Sequence, residues 1–190
     1  MAAIMSGNSG GAFKRSEGSL AFESHWRSLA RDGLIPPRTS FNPARAGRSL
    51  SNLILVEAPS SERRSLRFRV AGGALETKVG RDVTGRDYLD FLPTEQHAEA
   101  LEAARLICTQ PCGIWQINPV HYERGFTQLV EATIFPLGPG ADSVPLMLGK
   151  LEFLGGPVEL LPVVDKATSA ETSSTFRFID IGAGVPTLRV

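Results

Sequence analysis

The carboxyl-terminal half holds three strand-length apolar runs, Ile114–Val120, Phe126–Phe135 and Leu146–Leu154. Glu123-Arg124-Gly125 and Gly138-Pro139-Gly140-Ala141-Asp142 separate them, and both are turn chemistry. Connections this short cannot return the chain to the start of a parallel neighbour. The three runs must therefore pair as an antiparallel meander, and any fold for this chain is built around that sheet.

Two further strands lie upstream. Leu53-Ile54-Leu55-Val56 is an unbroken apolar run of the kind buried on both faces, and Leu66, Phe68 and Val70 alternate with Arg67 and Arg69. Residues 74–92 lack a long period and read as several short helices punctuated by Gly80 and Gly85. Thr94 is then placed to cap a longer helix whose apolar face runs His97, Leu101, Ala104, Cys108, and Pro111 stops it. Near the amino terminus Phe22, Trp26 and Leu29 share one helical face, with Glu23, Arg27 and Arg31 elsewhere, and Asp32-Gly33 ends the helix. The whole is an α+β fold: a five-stranded antiparallel sheet with helices on one face, plus an N-terminal amphipathic helix.

The expected limits are a disordered Gly/Ser-rich tail over 1–18, a domain over 19–155, and a tail over 156–190. After Gly155-Gly156-Pro157 the composition turns to Ser, Thr and Pro. Phe176, Phe178, Ile179 and Ile181 imply partial order near 176–184.

Composition narrows the function. Twenty basic residues balance 20 acidic ones, so no global field draws the chain to nucleic acid or to an anionic membrane. No apolar run is long enough to span a bilayer, and the first residues lack a signal-peptide core. Cys108 and Cys112 form neither a disulfide framework nor half of a zinc tetrahedron, which places the protein in the cytoplasm with inert thiols and no metal.

Leu66-Arg67-Phe68-Arg69-Val70-Ala71-Gly72, followed by Val79-Gly80-Arg81-Asp82-Val83-Thr84-Gly85, resembles the second strand and helical turn of the stand-alone PAS family of alphaproteobacteria. Trp26, Pro36-Pro37-Arg38 and Asp180-Ile181-Gly182-Ala183-Gly184 resemble that family's ends, and the element order is the PAS layout. The resemblance implies a sensory or adaptor module acting through protein contacts, and it brings no catalytic residue with it. The implied partners are a protein of a signalling pathway, a second copy of the chain, and a small apolar ligand. A dimerisation adaptor without ligand and a small-molecule enzyme are the alternative readings.

The candidate cavity lining is Trp115, Ile117, Val130, Ala132, Ile134, Met147, Leu151 and Phe153 on the sheet's inner face, with His97 from the long helix. The same residues suit a filled or nearly filled core, which is the ordinary state of interiors. No cofactor is expected. In haem-binding PAS domains the axial histidine comes from this helix, but ligation through His97, in the first turn, is not expected. A flavin photoreceptor would need an Asn-Cys-Arg-Phe run, and none is present. Gly80–Gly85 lacks the spacing and the lysine of a phosphate loop, so Thr84 reads as the cap of a helix near Arg86. His97, His121 and Glu131 show no pairing that would make a catalytic site. Phe22, Trp26 and Leu29 suit a partner interface or packing on the chain's own sheet.

Overall fold

The computed structural model describes residues 13–139, 144–155, 166–171 and 175–186. The expected order is found: α1 (Glu17–Arg27), β1 (Leu53–Glu57), β2 (Phe68–Ala71), α2 (Gly73–Val79), a 3₁₀ turn (Tyr88–Phe91), α3 (His97–Thr109), β3 (Cys112–Tyr122), β4 (Thr127–Leu137) and β5 (Leu146–Leu154). Two further strands follow, β6 (Ala167–Ala170) and β7 (Phe176–Asp180). Every pairing is antiparallel. The strand order is β2-β1-β5-β4-β3-β6, with β7 also on β3.

The sheet therefore has seven strands among the described residues where the sequence pattern gave five. The additional two come from the segment assigned to a tail. They lie along the outer edge of β3, β7 against Cys112–Gln116 and β6 against Val120–Tyr122. An open β3 would leave a row of unpaired backbone groups, and β6 and β7 satisfy it. The expected tail over 1–18 falls mostly outside the described residues. Its last two residues belong to α1, which starts at Glu17 with Ser16 as its cap.

Helix starts differ from expectation in two places. Thr94 opens a 3₁₀ turn, Thr94–Gln96, and α3 begins only at His97 without a side-chain cap. Thr84 caps nothing; its N–H donates to Asp82, and Asp87 caps the turn Tyr88–Phe91 by accepting from Leu89 N–H. Asp87 also accepts from Leu66 N–H at 2.9 Å, which ties this turn to the start of β2. Gly80 ends α2 at φ 72°, a left-handed conformation that glycine adopts without strain.

The two faces of the sheet bury separate cores. Ile54, Val56, Ile114 and Met147 face α2, the 3₁₀ turn and α3. Leu53, Leu55, Phe135, Leu137, Leu146 and Leu148 face α1. Strand alternation produces this division: in β1 and β5 neighbouring residues are apolar in succession because both sides are covered.

Candidate functional site

Between the inner face of the sheet and α2, α3 and the 3₁₀ turn lies a cavity of about 160 Å³. Val130, Ala132, Ile134, Met147, Leu151 and Phe153 line it, as their alternation on β4 and β5 requires. Side chains of α2 and α3 close the opposite wall, among them Leu75, Val79, Ala104 and Ile107. The interior is nearly packed but not filled.

Trp115 and Ile117 are on the other face. Residues directly opposite in an antiparallel pair share a face, and Trp115 pairs with Thr133 and Ile117 with Glu131. The cavity face of β3 carries Ile114, Gln116, Asn118 and Val120 instead. The misplacement is one residue of phase. Gln116 and Asn118 look like the solvent side of an alternating strand, yet they face the cavity while Trp115 and Ile117 are buried on the opposite face.

His97 is also outside the lining. Its Nε2 donates to Leu92 O at 3.1 Å, bracing the start of α3, and it supplies no part of the cavity wall. Three potential catalytic groups are kept apart. His121 bonds Thr127 and Glu171 at the far end of β3, Glu131 accepts from Trp115 and Ser16 beneath α1, and His97 turns to Leu92. Among the described residues no group of three or more His, Cys, Asp and Glu side chains is placed to hold a metal.

Phe22, Trp26 and Leu29 do not form a free surface. They are 5 %, 0 % and 9 % exposed and pack on the chain's own sheet. Trp26 stacks on Phe135 at 4.7 Å and 17°, donates from Nε1 to Pro136 O at 2.9 Å, and carries the Arg31 guanidinium on its other side at 4.2 Å. The helix covers an apolar sheet face that would otherwise meet water, which is why the interface reading of these three residues fails. Polar contacts fasten its first turn: Ser16 N–H donates to Glu131, Ser16 Oγ to Glu152, and the hydroxyls of Ser19 and Thr133 are hydrogen-bonded to each other at 2.6 Å. Gly18 permits this approach, since a Cβ there would lie 1.8 Å from Glu152 Oε1.

The sequence reading missed the cavity's polar groups. Asn118, 5 % exposed, donates from Nδ2 to Glu171 O at 3.0 Å and to the Tyr88 hydroxyl at 3.5 Å, while its Oδ1 meets no partner among the described residues. The Glu171 carbonyl fixes the amide orientation, because a flipped Asn118 would set oxygen against oxygen. Burial pushes the Tyr88 hydroxyl up to about 12, so it stays a neutral donor. The two thiols stand clear of the cavity lining. Burial raises Cys108 to about 11, and burial with the neighbouring Cys108 and Asp180 raises Cys112 to about 12.

Residues 14–152 match the family model of the PAS domain. No curated protein matches the sequence. Three solved structures are similar to this chain. A Rhodobacter sphaeroides LOV protein shares 17% identity over 62% of this chain and 66% of its own, with a TM-score of 0.45. A light-oxygen-voltage domain described with a flavin analogue shares 16% over 59% and 83%, with a TM-score of 0.44. A fungal LOV domain photoreceptor shares 18% over 54% and 73%, with a TM-score of 0.39.

Proposed function

This chain belongs to the PAS domain family, and from that premise we propose that it is a sensory module whose core cavity admits a small, largely apolar molecule and whose state is read by a protein partner. The cavity carries the reading: a mostly apolar hollow in the core, with Tyr88, Gln116, Asn118 and Ser169 among its few polar lining residues. A hollow of this size lined by aliphatic and aromatic side chains holds a molecule of about benzene's size.

A flavin does not fit these residues. Among the described residues no cysteine lines the cavity, and about 160 Å³ is well below the ~300 Å³ at which pockets for larger ligands begin. The chain acts through binding rather than catalysis, since His97, His121 and Glu131 are held by unconnected partners. We place the module in the cytoplasm; its two cysteines are free thiols, and among the described residues no helix is long and apolar enough to cross a membrane.

The sheet itself offers the path from cavity to surface. Met147 lines the cavity while its neighbours Leu146 and Leu148 lie in the α1 core, and Ile134 and Phe135 divide in the same way. A guest that shifts β4 or β5 therefore also shifts the bed on which α1 rests, and the exposed side of α1 is where a partner would read it. Amide hydrogen exchange with and without toluene tests this. Slower or faster exchange in α1, on the face opposite the guest, is the expected result. Changes confined to the cavity-lining strands, α2 and α3 would contradict a relay through the sheet.

A further inference from the structure

At the β1–β2 end of the sheet is an open cleft whose lining includes Arg38, Leu55, Glu57, Arg67, Arg69 and Val70. It is on the same face as α1, since Val70 stands opposite Leu55 and opposed residues share a face. The helix itself lies over β4 and β5, and Val70 stays 52 % exposed. The charges of the lining do not balance. Three guanidiniums meet one carboxylate, and Glu57 is already bonded by Arg69 at 2.7 Å and by Arg63, from outside the lining, at 3.0 Å. Arg38 donates from Nη1 to Phe41 O at 3.1 Å and Arg67 from Nε to Gly85 O at 3.2 Å, so backbone carbonyls hold both in place. Neither has a carboxylate partner among the described residues. A chain whose 20 basic residues match 20 acidic ones thus gathers unmatched positive charge at one spot.

The cleft also backs onto the cavity. Phe68 belongs to both linings, and Ile54 and Val56, the neighbours of Leu55 in β1, line the cavity. Resting on the reading that a protein partner contacts this module, we infer that the cleft docks an acidic segment of that partner, its carboxylates pairing with Arg38 and Arg67 and an apolar side chain covering Val70. Arg67 is anchored through Nε, so its two terminal nitrogens remain to take a carboxylate through paired N–H donors. Holding the guanidiniums in place beforehand lowers the ordering cost of docking. Nucleic acid is the poorer match, because a chain without net charge offers no extended positive surface to a run of phosphates.

Two labelled peptides test this by fluorescence anisotropy against the whole chain, one alternating glutamate with valine and the other carrying glutamine at each glutamate. The acidic peptide is expected to bind, and to weaken as salt is raised. Its glutamine counterpart should bind roughly tenfold more weakly, the sum of several exposed ion pairs. Arg38→Gln and Arg67→Gln should each weaken the acidic peptide about two- to fivefold. Arg67 is exposed, so its variant guards against a fold lost in the half-buried Arg38→Gln. Arg105→Gln, on the exposed side of α3 and outside the cleft lining, should change nothing. Equal losses in all three variants, or a glutamine peptide that binds as tightly as the acidic one, would overturn the inference. So would an oligothymidylate that displaces the labelled peptide at lower concentration than the unlabelled acidic peptide does. The titrations contain no toluene, so a cavity that takes up nothing has no bearing on them. An acidic peptide that fails to bind removes the docking cleft and leaves toluene uptake standing.

Discussion

Removing the Trp26 side chain probes how α1 is held. The indole is fully buried, stacked on Phe135 and bonded to the Pro136 carbonyl. Truncating an aromatic residue in such a setting costs about 3–5 kcal/mol, and losing the N–H bond adds about 1 kcal/mol. Trp26→Ala should therefore lower stability by about 4–6 kcal/mol if α1 stays docked. That is a large part of the roughly 5–15 kcal/mol available to a domain, and a smaller loss results if the helix lifts off instead. Trp26→Phe keeps a ring on Phe135 and gives up the hydrogen bond and some contact area, for about 1–2 kcal/mol. The chain has two tryptophans, so either variant leaves Trp115 as the single reporter. Trp115 lies beneath the first turn of α1, donating at 2.5 Å to the Glu131 oxygen that Ser16 N–H also reaches. Denaturant titration followed by its emission gives both answers at once. A drop in midpoint with unchanged emission before the transition means a docked, weakened helix; a red-shifted native baseline means a detached one. A Trp26→Ala protein within 1 kcal/mol of the parent, with an unshifted baseline, would refute the argument that Trp26 anchors α1.

The remaining expectations follow from the same contacts. Gly113→Ala places a methyl 2.3 Å from Phe135 Cε1, directly below the Trp26 stack, and should cost about 1–3 kcal/mol in denaturant unfolding. Ala132→Val adds carbon to the cavity; a rise in thermal midpoint with loss of toluene binding is expected, and a fall would show that no room exists there. Against burial that raises it, Glu152 is held below the ordinary carboxylate range by hydrogen bonds from Lys150 and Ser16, as is Glu23 by Arg15 and Arg27. The unfolded chain thus takes up protons first on acidification. Stability present at neutral pH should decline as pH falls below the ordinary glutamate range of roughly 4 to 5, and Glu152→Gln should flatten that slope in denaturation at stepped pH. The folded protein's thiols should not react with a thiol reagent at pH 8, since Cys108 and Cys112 lie at about 11 and about 12; both should react once it is unfolded.

Much of this architecture is legible in the sequence because turn chemistry and period agree. The short Gly- and Pro-containing connections force the β3-β4-β5 meander, and Val130, Ala132 and Ile134 alternate cleanly with Glu131 and Thr133. Phase failed in β3, where both faces are covered: with Trp115 and Ile117 set against Gln116 and Asn118, polarity pointed to solvent, yet the polar pair serves the cavity. A buried Asn can be recognised only when the element covering it is known, here α3, the Tyr88 turn and β6. The amphipathic face of Phe22, Trp26 and Leu29 was plain, but periodicity says which side of a helix is apolar, not what covers it. β6 was hidden for a simpler reason. Ala167-Thr168-Ser169-Ala170 has little strand character of its own and is ordered by the free edge of β3.

On the proposed function, the hollow in the core takes up a small molecule. Methyl-detected NMR of the whole chain during addition of toluene measures this directly. Saturable shifts at Ile54, Ile114, Ile134 and Met147, exceeding those at Leu53, Leu55 and Leu148, are predicted. Shifts that never saturate, or that are as large in the second set as in the first, would contradict it.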